Sequence, residues 1–271
     1  MGRLKTIDAA LTGALIVVMA ALLAACAQSA PEDAPESVLA AAGDDPAARA
    51  AAVLSLPSRP VEDHADDALR KPANVLAYMD VRPGMKIFEM EAGSGYYTEL
   101  LSPLVGPKGE VVMHSPEPFD AFLGDAIANR AEGLDNVRVT KSNFDDLDAE
   151  DGSMDMVTWI LGPHDLYYTP GGAELGDDET AFAEIMRILK PGGDFIVLDH
   201  AATPGSPRST GGTVHRIDPA LVLEMATEAG FMLAGESDVL RNPDDNYDAN
   251  IFEPEVRRKT DRFLYKFKKP E

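Results

Sequence analysis

Short apolar runs alternate with amphipathic stretches along the chain after residue 57. Apolar residues at helical spacing predict helices between these runs. Strands that alternate with helices indicate an α/β fold with a mostly parallel sheet. The last two strands have no helix between them, so we expect that pair to be antiparallel. The pattern predicts strands at 86–90, 110–114, 136–140, 154–160, 194–199, about 231–239 and about 260–268, and helices at 72–78, 96–105, 117–131, 178–189 and 218–229.

The first predicted strand ends in an acidic residue and runs into a glycine turn, with the sequence Glu-Met-Glu-Ala-Gly-Ser-Gly at 89–95. Glycine fits where a backbone turns tightly and a ligand lies against it, and free N–H groups of the next helix point at that ligand. A dinucleotide site would need a third glycine and an acid at the end of the next strand. That strand ends at His114 and Ser115 instead. The turn therefore predicts a different nucleotide-type cofactor, and a glycine-capped turn without a ligand is the alternative.

Further motifs follow the glycine turn in a fixed order. Val-Arg-Val-Thr stands at 137–140, Ser-Asn-Phe-Asp-Asp-Leu at 142–147, Gly-Ser-Met-Asp-Met-Val-Thr-Trp at 152–159, Arg-Ile-Leu-Lys-Pro-Gly-Gly at 187–193 and Phe-Ile-Val-Leu-Asp-His at 195–200. This order resembles the class I S-adenosylmethionine-dependent methyltransferases. The resemblance begins at about Arg59 and continues to the C-terminus. Segments 214–218, 240–245 and 259–263 resemble a bacterial branch of predicted methyltransferases that often carry export signals.

The resemblance implies a Rossmann-like sheet of seven strands, mostly parallel, with helices on both faces. It implies S-adenosylmethionine as the cofactor and methyl transfer as the activity. Glu89 would accept a hydrogen bond from the ammonium of the methionine part of the cofactor. Gly93 and Gly95 would let the cofactor lie against the backbone. Asn143 and Phe144 match the positions that bracket adenine.

The ribose of the cofactor has no obvious partner in this sequence. Class I enzymes usually place an acid at the end of the second strand, where Ser115 and Glu117 are the polar residues available here. Glu91 occupies the place of the first glycine of the family turn. Its side chain either turns inward in place of the missing acid or faces solvent.

The acceptor side is predicted in the segment 162–168, which follows the fourth strand, because class I enzymes position methyl acceptors there. His164 is the candidate general base, since histidine titrates near neutral pH and can take a proton from an oxygen or nitrogen nucleophile. Asp165 could orient it. His200 and His215 also follow predicted strands and are the next candidates. An enzyme that works by alignment in a dry pocket needs no base, and this alternative stays open.

The N-terminus reads as an export signal. Arg3 and Lys5 precede an apolar run at 9–25, and Leu-Ala-Ala-Cys at 23–26 resembles a bacterial lipobox. Cleavage at this site would leave Cys26 as the lipid-carrying first residue of a lipoprotein on the periplasmic face of a membrane. A plain N-terminal membrane anchor is the alternative. We expect residues 1–26 to form the signal peptide, 27–56 a disordered or partly helical Ala/Pro/acidic tether, and 57–271 the methyltransferase-like domain.

Charge and cysteine content narrow the possible partners. The formal net charge is −22, which would repel nucleic acid. Cys26 is the single cysteine, so no intramolecular disulfide can form. A small-molecule acceptor or an envelope component is expected as substrate, and the sequence leaves the oligomeric state open. The second hypothesis is an exported binding or structural protein whose methyltransferase cofactor site has decayed.

Overall fold

The computed structural model describes residues 35–271, and the predicted signal peptide with Cys26 lies outside the described residues. The strands are β1 Lys86–Met90, β2 Glu110–His114, β3 Val137–Thr140, β4 Met154–Ile160, β5 Leu189–His200, β6 Met232–Ser237 and β7 Arg262–Lys268. They form one sheet in the order β3-β2-β1-β4-β5-β7-β6. The first five strands are parallel, and β7 is antiparallel to both β5 and β6. The predicted α/β class and the antiparallel last pair are confirmed.

Helices cover both faces of this sheet. They are α1 Pro35–Ala41, α2 Pro46–Leu54, α3 His64–Arg70, α4 Pro72–Met79, α5 Tyr96–Val105, α6 Asp120–Leu123, α7 Ala126–Ala131, α8 Asp178–Ile188, α9 Thr210–Val214 and α10 Pro219–Glu228. The predicted helix at 117–131 is broken into a 3₁₀ turn, α6 and α7. The break follows from Gly124, whose φ of +53° ends α6 in a conformation that favours glycine.

The sheet is buried on both faces, as expected of parallel strands between helices. Successive residues of a strand point to opposite faces. On β1, Ile87 belongs to the core beneath α2, α4 and α5, whereas Phe88 belongs to the core beneath α8 and α10. Both side chains are fully buried. Alternation on the central strands therefore builds two cores and leaves only the strand ends open to ligands.

The segment predicted as a disordered or partly helical tether is largely helical over its described part and packs against the core. Residues 35–41 and 46–54 are helical. Ala50 and Val53 are buried in the core that contains α5, and the Arg49 guanidinium donates to the Leu104 carbonyl oxygen at 2.7 Å. Ala50 and Val53, three residues apart, give α2 a buried apolar face. The overall Ala/Pro/acidic composition of the segment did not indicate this face. Across residues 35–271, no helix has both the length and the apolar character needed to cross a membrane.

A buried ion pair fixes the long connection between β6 and β7 to the carboxyl end of β5. The Arg216 guanidinium donates to both carboxylate oxygens of Asp245 at 2.7 and 3.0 Å, and both side chains are fully buried. Arg216 also donates to the carbonyl oxygens of Ala201 and Ala249. One side chain thereby joins three segments that surround the functional end of the sheet.

We expect Asp245→Ala to lower the free energy of unfolding by about 3–5 kcal/mol, because it leaves a buried guanidinium without its counter-charge. Urea denaturation measures this change. Lys86→Met is the control, since Lys86 and Glu110 form a pair at 3.4 Å with side chains 48% and 29% exposed. Such a pair contributes less than about 1 kcal/mol. Equal losses in the two variants would contradict the prediction.

Candidate active site

The carboxyl ends of β1, β4 and β5 open into one cavity of about 800 Å³. In open α/β sheets, ligands bind outside these strand ends. The glycine turn after β1 lines one part of the cavity. The 3₁₀ turn Pro163–Tyr167 after β4 and His200 at the end of β5 line another part. This volume accommodates a drug-sized ligand, and it has two chemically different walls.

The two predicted glycines of the turn are needed for different structural reasons. Both take left-handed backbone angles, with φ of +59° at Gly93 and +79° at Gly95. A Cβ on Gly93 would meet no atom within 4 Å, and this residue lines the cavity. A Cβ on Gly95 would collide with the side chain of Arg130, whose Nε donates to the Ser94 carbonyl oxygen at 3.0 Å. The absence of a side chain at Gly93 therefore keeps the cavity open. The absence of a side chain at Gly95 lets Arg130 pack against the turn and bond the Ser94 carbonyl oxygen.

Glu89 lies at the cavity with only 3% of its surface exposed. The Thr98 hydroxyl donates to its Oε2 at 2.6 Å. Burial raises the pKa of Glu89 to about 7, against the opposing effect of the Thr98 hydrogen bonds. A cationic group that binds beside Glu89 would stabilise the ionised carboxylate. The predicted acid therefore lies where an ammonium group can complete its hydrogen bonding.

Two buried polar atoms beside the cavity have no hydrogen-bond partner among the described residues. They are Ser115 Oγ, after β2, and Arg262 Nε, at the start of β7. Buried polar groups without partners are rare in native proteins and need an explanation. Arg70 lines the same cavity, with its guanidinium 4.5 Å from the centre of the Tyr96 ring. A ligand that carries hydroxyl and carboxylate groups as well as an ammonium fits this set of residues.

The structure does not bring Asn143 and Phe144 to the cavity. Asn143 is exposed, and Phe144 is fully buried with its ring centre 5.0 Å from that of Trp159. The apolar part of the lining after β2 comes instead from Phe119, Phe122 and Leu123. Their spacing of three and four residues within the predicted helix at 117–131 was the available signal.

Glu91 turns inward, which is the first of its two predicted orientations. It has a left-handed φ of +50° and lines the cavity. Its Oε2 accepts a hydrogen bond from Trp159 Nε1 at 3.0 Å. Burial and the negative charge of Asp165 raise the pKa of Glu91 well above its usual value. Gly162 lies beside this pair, since a Cβ there would collide with the Trp159 ring and the Glu91 carboxyl group.

His164 is held by Asp199 rather than by its sequence neighbour. Its Nδ1 lies 2.8 Å from Asp199 Oδ1, and its backbone N–H donates to Asp199 Oδ2 at 2.9 Å. Asp199 is fully buried at the end of β5. Asp165 instead faces the other ring nitrogen, with its Oδ1 3.4 Å from His164 Nε2. The predicted orienting role of Asp165 thus belongs to Asp199, because the 3₁₀ turn brings residue 164 back over β5.

The electrostatics do not favour His164 as a general base. Burial alone would lower the pKa of His164, but the negative charges of Asp199 and Asp165 outweigh burial and raise that pKa to about 9. At neutral pH the unliganded ring is a cation without the lone pair that a base needs. Burial and the nearby charge of His164 lower the pKa of His200 well below its usual value, so His200 is neutral.

His215 completes this wall from a different segment. Its Nδ1 lies 3.3 Å from Asp165 Oδ1, and the rings of His164 and His215 meet edge-on with centres 5.4 Å apart. His215 has a left-handed φ of +54° just after α9. The structure therefore gathers His164, Asp165 and His215, which the sequence places up to about fifty residues apart.

Comparison with known proteins agrees with this architecture. A solved S-adenosylmethionine-dependent methyltransferase from Aquifex aeolicus superposes with a TM-score of 0.56 at 18% identity, covering 76% of this chain and 93% of that one. Another from Mesorhizobium loti gives 0.50 at 17% identity, with coverages of 74% and 95%. The fold is that of the class I S-adenosylmethionine-dependent methyltransferases, and S-adenosylmethionine is the cofactor of the class.

The model of the ubiE/COQ5 methyltransferase family matches residues 66–207, just over half of the chain. The chain belongs to this family. Similar curated proteins include the ubiquinone/menaquinone biosynthesis C-methyltransferases UbiE of Shewanella sp. (strain W3-18-1) and Shewanella baltica (strain OS155), each 30% identical over 118 residues. That alignment covers 44% of this chain and 43% of each relative, so the chain spans less than half of the length of the relatives it matches.

We expect Gly93→Val to abolish binding of S-adenosylhomocysteine in calorimetric titration, because its side chain would enter the cavity. Gly133→Val is the matched control: its φ is +83° and its Cβ would also meet no atom within 4 Å, but Gly133 does not line the cavity. Left-handed strain costs each variant about 1–2 kcal/mol of stability, so melting curves should shift alike. Wild-type affinity in a folded Gly93→Val protein would contradict the assignment of the turn.

Proposed function

We propose that this protein transfers the methyl group of S-adenosylmethionine to a small-molecule acceptor bound in the same cavity. The observation that carries the proposal is that two different sets of residues line two parts of one cavity. Glu89, Gly93 and Ser115 form a wall suited to the cofactor, and the wall with His164 and His200 is polar and belongs to the ends of β4 and β5. One cavity of about 800 Å³ therefore has room for a donor and an acceptor together.

The cofactor wall offers partners for the ammonium group, the carboxylate and a ribose hydroxyl of S-adenosylmethionine. Glu89 would accept from the ammonium group, and Arg70 and Arg262 would donate to the carboxylate. Ser115 Oγ would bond a ribose hydroxyl, which supplies the partner that this buried atom lacks. The apolar side chains of Phe119 and Leu123 would cover the adenine. These assignments would give ligand partners to Ser115 Oγ and Arg262 Nε, the two buried atoms of the cavity that have none among the described residues.

The protein has little covalent chemistry to perform in such a reaction. When bound, S-adenosylmethionine would supply a methyl group on a positively charged sulfur, and a bond from an acceptor lone pair to the methyl carbon would replace the carbon–sulfur bond, with S-adenosylhomocysteine as the leaving group. Glu89 and the glycine turn would fix the methionine part, and the walls of the cavity would exclude water. Alignment and exclusion of water account for most of the rate in such a displacement. His164 and Asp165 would hold the acceptor, while neutral His200 could take a proton.

The acceptor wall draws on residues outside the family match. His215, Ile251, Phe252 and Arg257 line the cavity and follow residue 207. The quinone precursors that the relatives' names indicate are therefore not carried over to this chain. Phe252, which is 59% exposed, and Arg257 both line the cavity. We expect an acceptor with an apolar body and an anionic substituent, whether a free metabolite or an envelope component.

The export signal adds a proposed location. We propose that the chain is a lipoprotein anchored through Cys26 on the periplasmic face of a bacterial membrane, on the basis of the lipobox-like Leu-Ala-Ala-Cys at 23–26. Several acyl chains on one residue anchor a protein stably. A cofactor made in the cytoplasm would then have to reach that face. An exported binding protein with a decayed cofactor site is the second candidate, and Glu91 in place of the first glycine favours it.

We expect the affinity for S-adenosylhomocysteine to rise about tenfold from pH 6 to pH 8, because the carboxyl of Glu89, with a pKa of about 7, must ionise to pair with the ammonium. The neighbouring charges that act on Glu89 are the guanidinium groups of Arg130 and Arg70. Glu89→Gln should bind at least about tenfold more weakly at pH 8 and lose the pH dependence. Calorimetry at several pH values measures both effects.

His164→Ala is the control for this titration and should keep the wild-type pH profile. A Glu89→Gln protein with wild-type affinity and pH dependence would remove Glu89 from the cofactor site. Absence of any binding by a folded wild-type protein would favour the decayed-site hypothesis instead.

We expect Cys26→Ala to abolish acylation and to move the protein out of the detergent-phase lipoprotein fraction, because the variant lacks the sulfur that carries lipid. Intact mass spectrometry of the purified proteins detects the modification. A wild-type protein that retains residues 1–25 would indicate an N-terminal membrane anchor and contradict the lipoprotein proposal.

A further inference from the structure

Three side chains on the acceptor wall place one nitrogen or oxygen each at a common point. They are His164, Asp165 and His215, and their nearest ligand atoms all lie within 4.8 Å of one another. His164 and Asp165 are buried, and the side chain of His215 is 14% exposed. All three line the cavity. Within residues 35–271 this is the one group of its kind.

The two contacts between Asp165 and the histidine rings are long for hydrogen bonds to a carboxylate. Asp165 Oδ1 lies 3.4 Å from His164 Nε2 and 3.3 Å from His215 Nδ1. Charge-assisted N–H···O bonds are normally about 2.7–2.9 Å long. Two metal–ligand bonds of about 2.0–2.1 Å at a tetrahedral angle, in contrast, separate their ligand atoms by about 3.3–3.4 Å. The two Asp165 contacts therefore have the length of tetrahedron edges.

The second ring nitrogen of His164 contacts a carboxyl group, that of Asp199, as is usual for metal-binding histidines. A metal-ligating histidine generally donates its second ring N–H to a carboxylate or carbonyl, which fixes the ring and its tautomer. Asp199 Oδ1 lies 2.8 Å from His164 Nδ1, and Asp199 is itself fixed by the backbone N–H groups of His164 and His200. This leaves Nε2 of His164 directed toward Asp165.

The close packing of α9 on the 3₁₀ turn fixes the position of His215, and the backbone of His215 is strained there. Two consecutive glycines of α9 pack on the 3₁₀ turn, since a Cβ on Gly211 would collide with the carbonyl oxygen of His164 and one on Gly212 with that of Tyr167. This close approach brings His215 against His164. The left-handed φ of +54° at His215 is strained for a residue with a Cβ. Such strain is concentrated at binding and catalytic sites.

We propose that His164, Asp165 and His215 bind one divalent transition-metal ion, with Asp199 as the carboxylate that orients His164. Two imidazoles and one carboxylate are the donor set of catalytic zinc sites, which keep a further position open. They are also a set that other first-row metals accept. The open side belongs to the cavity, so a fourth ligand would be water or an acceptor atom.

Zinc titration of the full-length protein tests this inference directly and needs no cofactor or acceptor. The protein is stripped with a chelator and titrated with ZnCl₂ in excess Ca²⁺, which occupies surface carboxylates by its preference for oxygen ligands. We expect one tightly bound Zn²⁺ per chain, measured by calorimetry and by elemental analysis after gel filtration. Co²⁺ should give visible absorption bands of a four- or five-coordinate site without a thiolate charge-transfer band, because Cys26, the only cysteine, is not a ligand.

His164→Ala and His215→Ala should each weaken zinc binding by more than about 100-fold, since even the loss of an orienting group costs 10–100-fold. Asp165→Asn serves as a further variant that keeps the shape of the side chain. His64→Ala is the matched control, because His64 is an exposed histidine that begins α3. Circular dichroism checks the fold of each variant.

A folded wild-type protein that binds no zinc overturns the proposal, as does equal zinc binding by wild type, His164→Ala and His215→Ala. Loss of binding in His64→Ala as well would show that zinc binds histidines at random and would also overturn it. Because zinc binding is measured without S-adenosylhomocysteine, failure of the metal site leaves the cofactor proposal untouched.

Discussion

The buried carboxylate of Asp199 is the interaction on which the functional end of this protein depends. Asp199 lies at the carboxyl end of β5 and accepts from the backbone N–H groups of His164 and His200 and from the His164 ring. A buried carboxylate is stable only when such partners replace the water that it has lost. The same bonds fold the 3₁₀ turn after β4 back over the sheet. One desolvated charge therefore fixes both the position of the turn and the orientation of its histidine.

Burial then divides the titratable groups of the cavity into two kinds. Where no opposite charge is close enough, burial favours the neutral form, so the pKa of Glu89 rises to about 7 and that of His200 falls. Where carboxylates surround a ring, the charged form prevails, as at His164. The cofactor wall is thus prepared to receive a cation at Glu89. In the acceptor wall, the charged His164 ring already lies between the carboxyl groups of Asp165 and Asp199.

The sequence predicted the sheet well because strand and helix periodicity is a local property. It also located Glu89 and the glycine turn, since a strand, an acid and two glycines are contiguous. It could not reveal the pairing of His164 with Asp199 or the approach of His215, because these contacts join residues 35 and 51 positions apart through tertiary packing. Asn143 and Phe144 were drawn from family positions, and the short helices after β2 put Phe119 there instead.

Glu91 shows how one departure from the family turn connects the two walls. A non-glycine residue at a φ of +50° carries a strain of about 1–2 kcal/mol. The hydrogen bond from Trp159 Nε1 to the Glu91 carboxyl group opposes this strain. A glycine here would free the backbone but would leave Trp159 Nε1 without this acceptor. The side chain that replaces the glycine therefore joins the cofactor turn to Trp159 of β4 and to Asp165 of the histidine cluster.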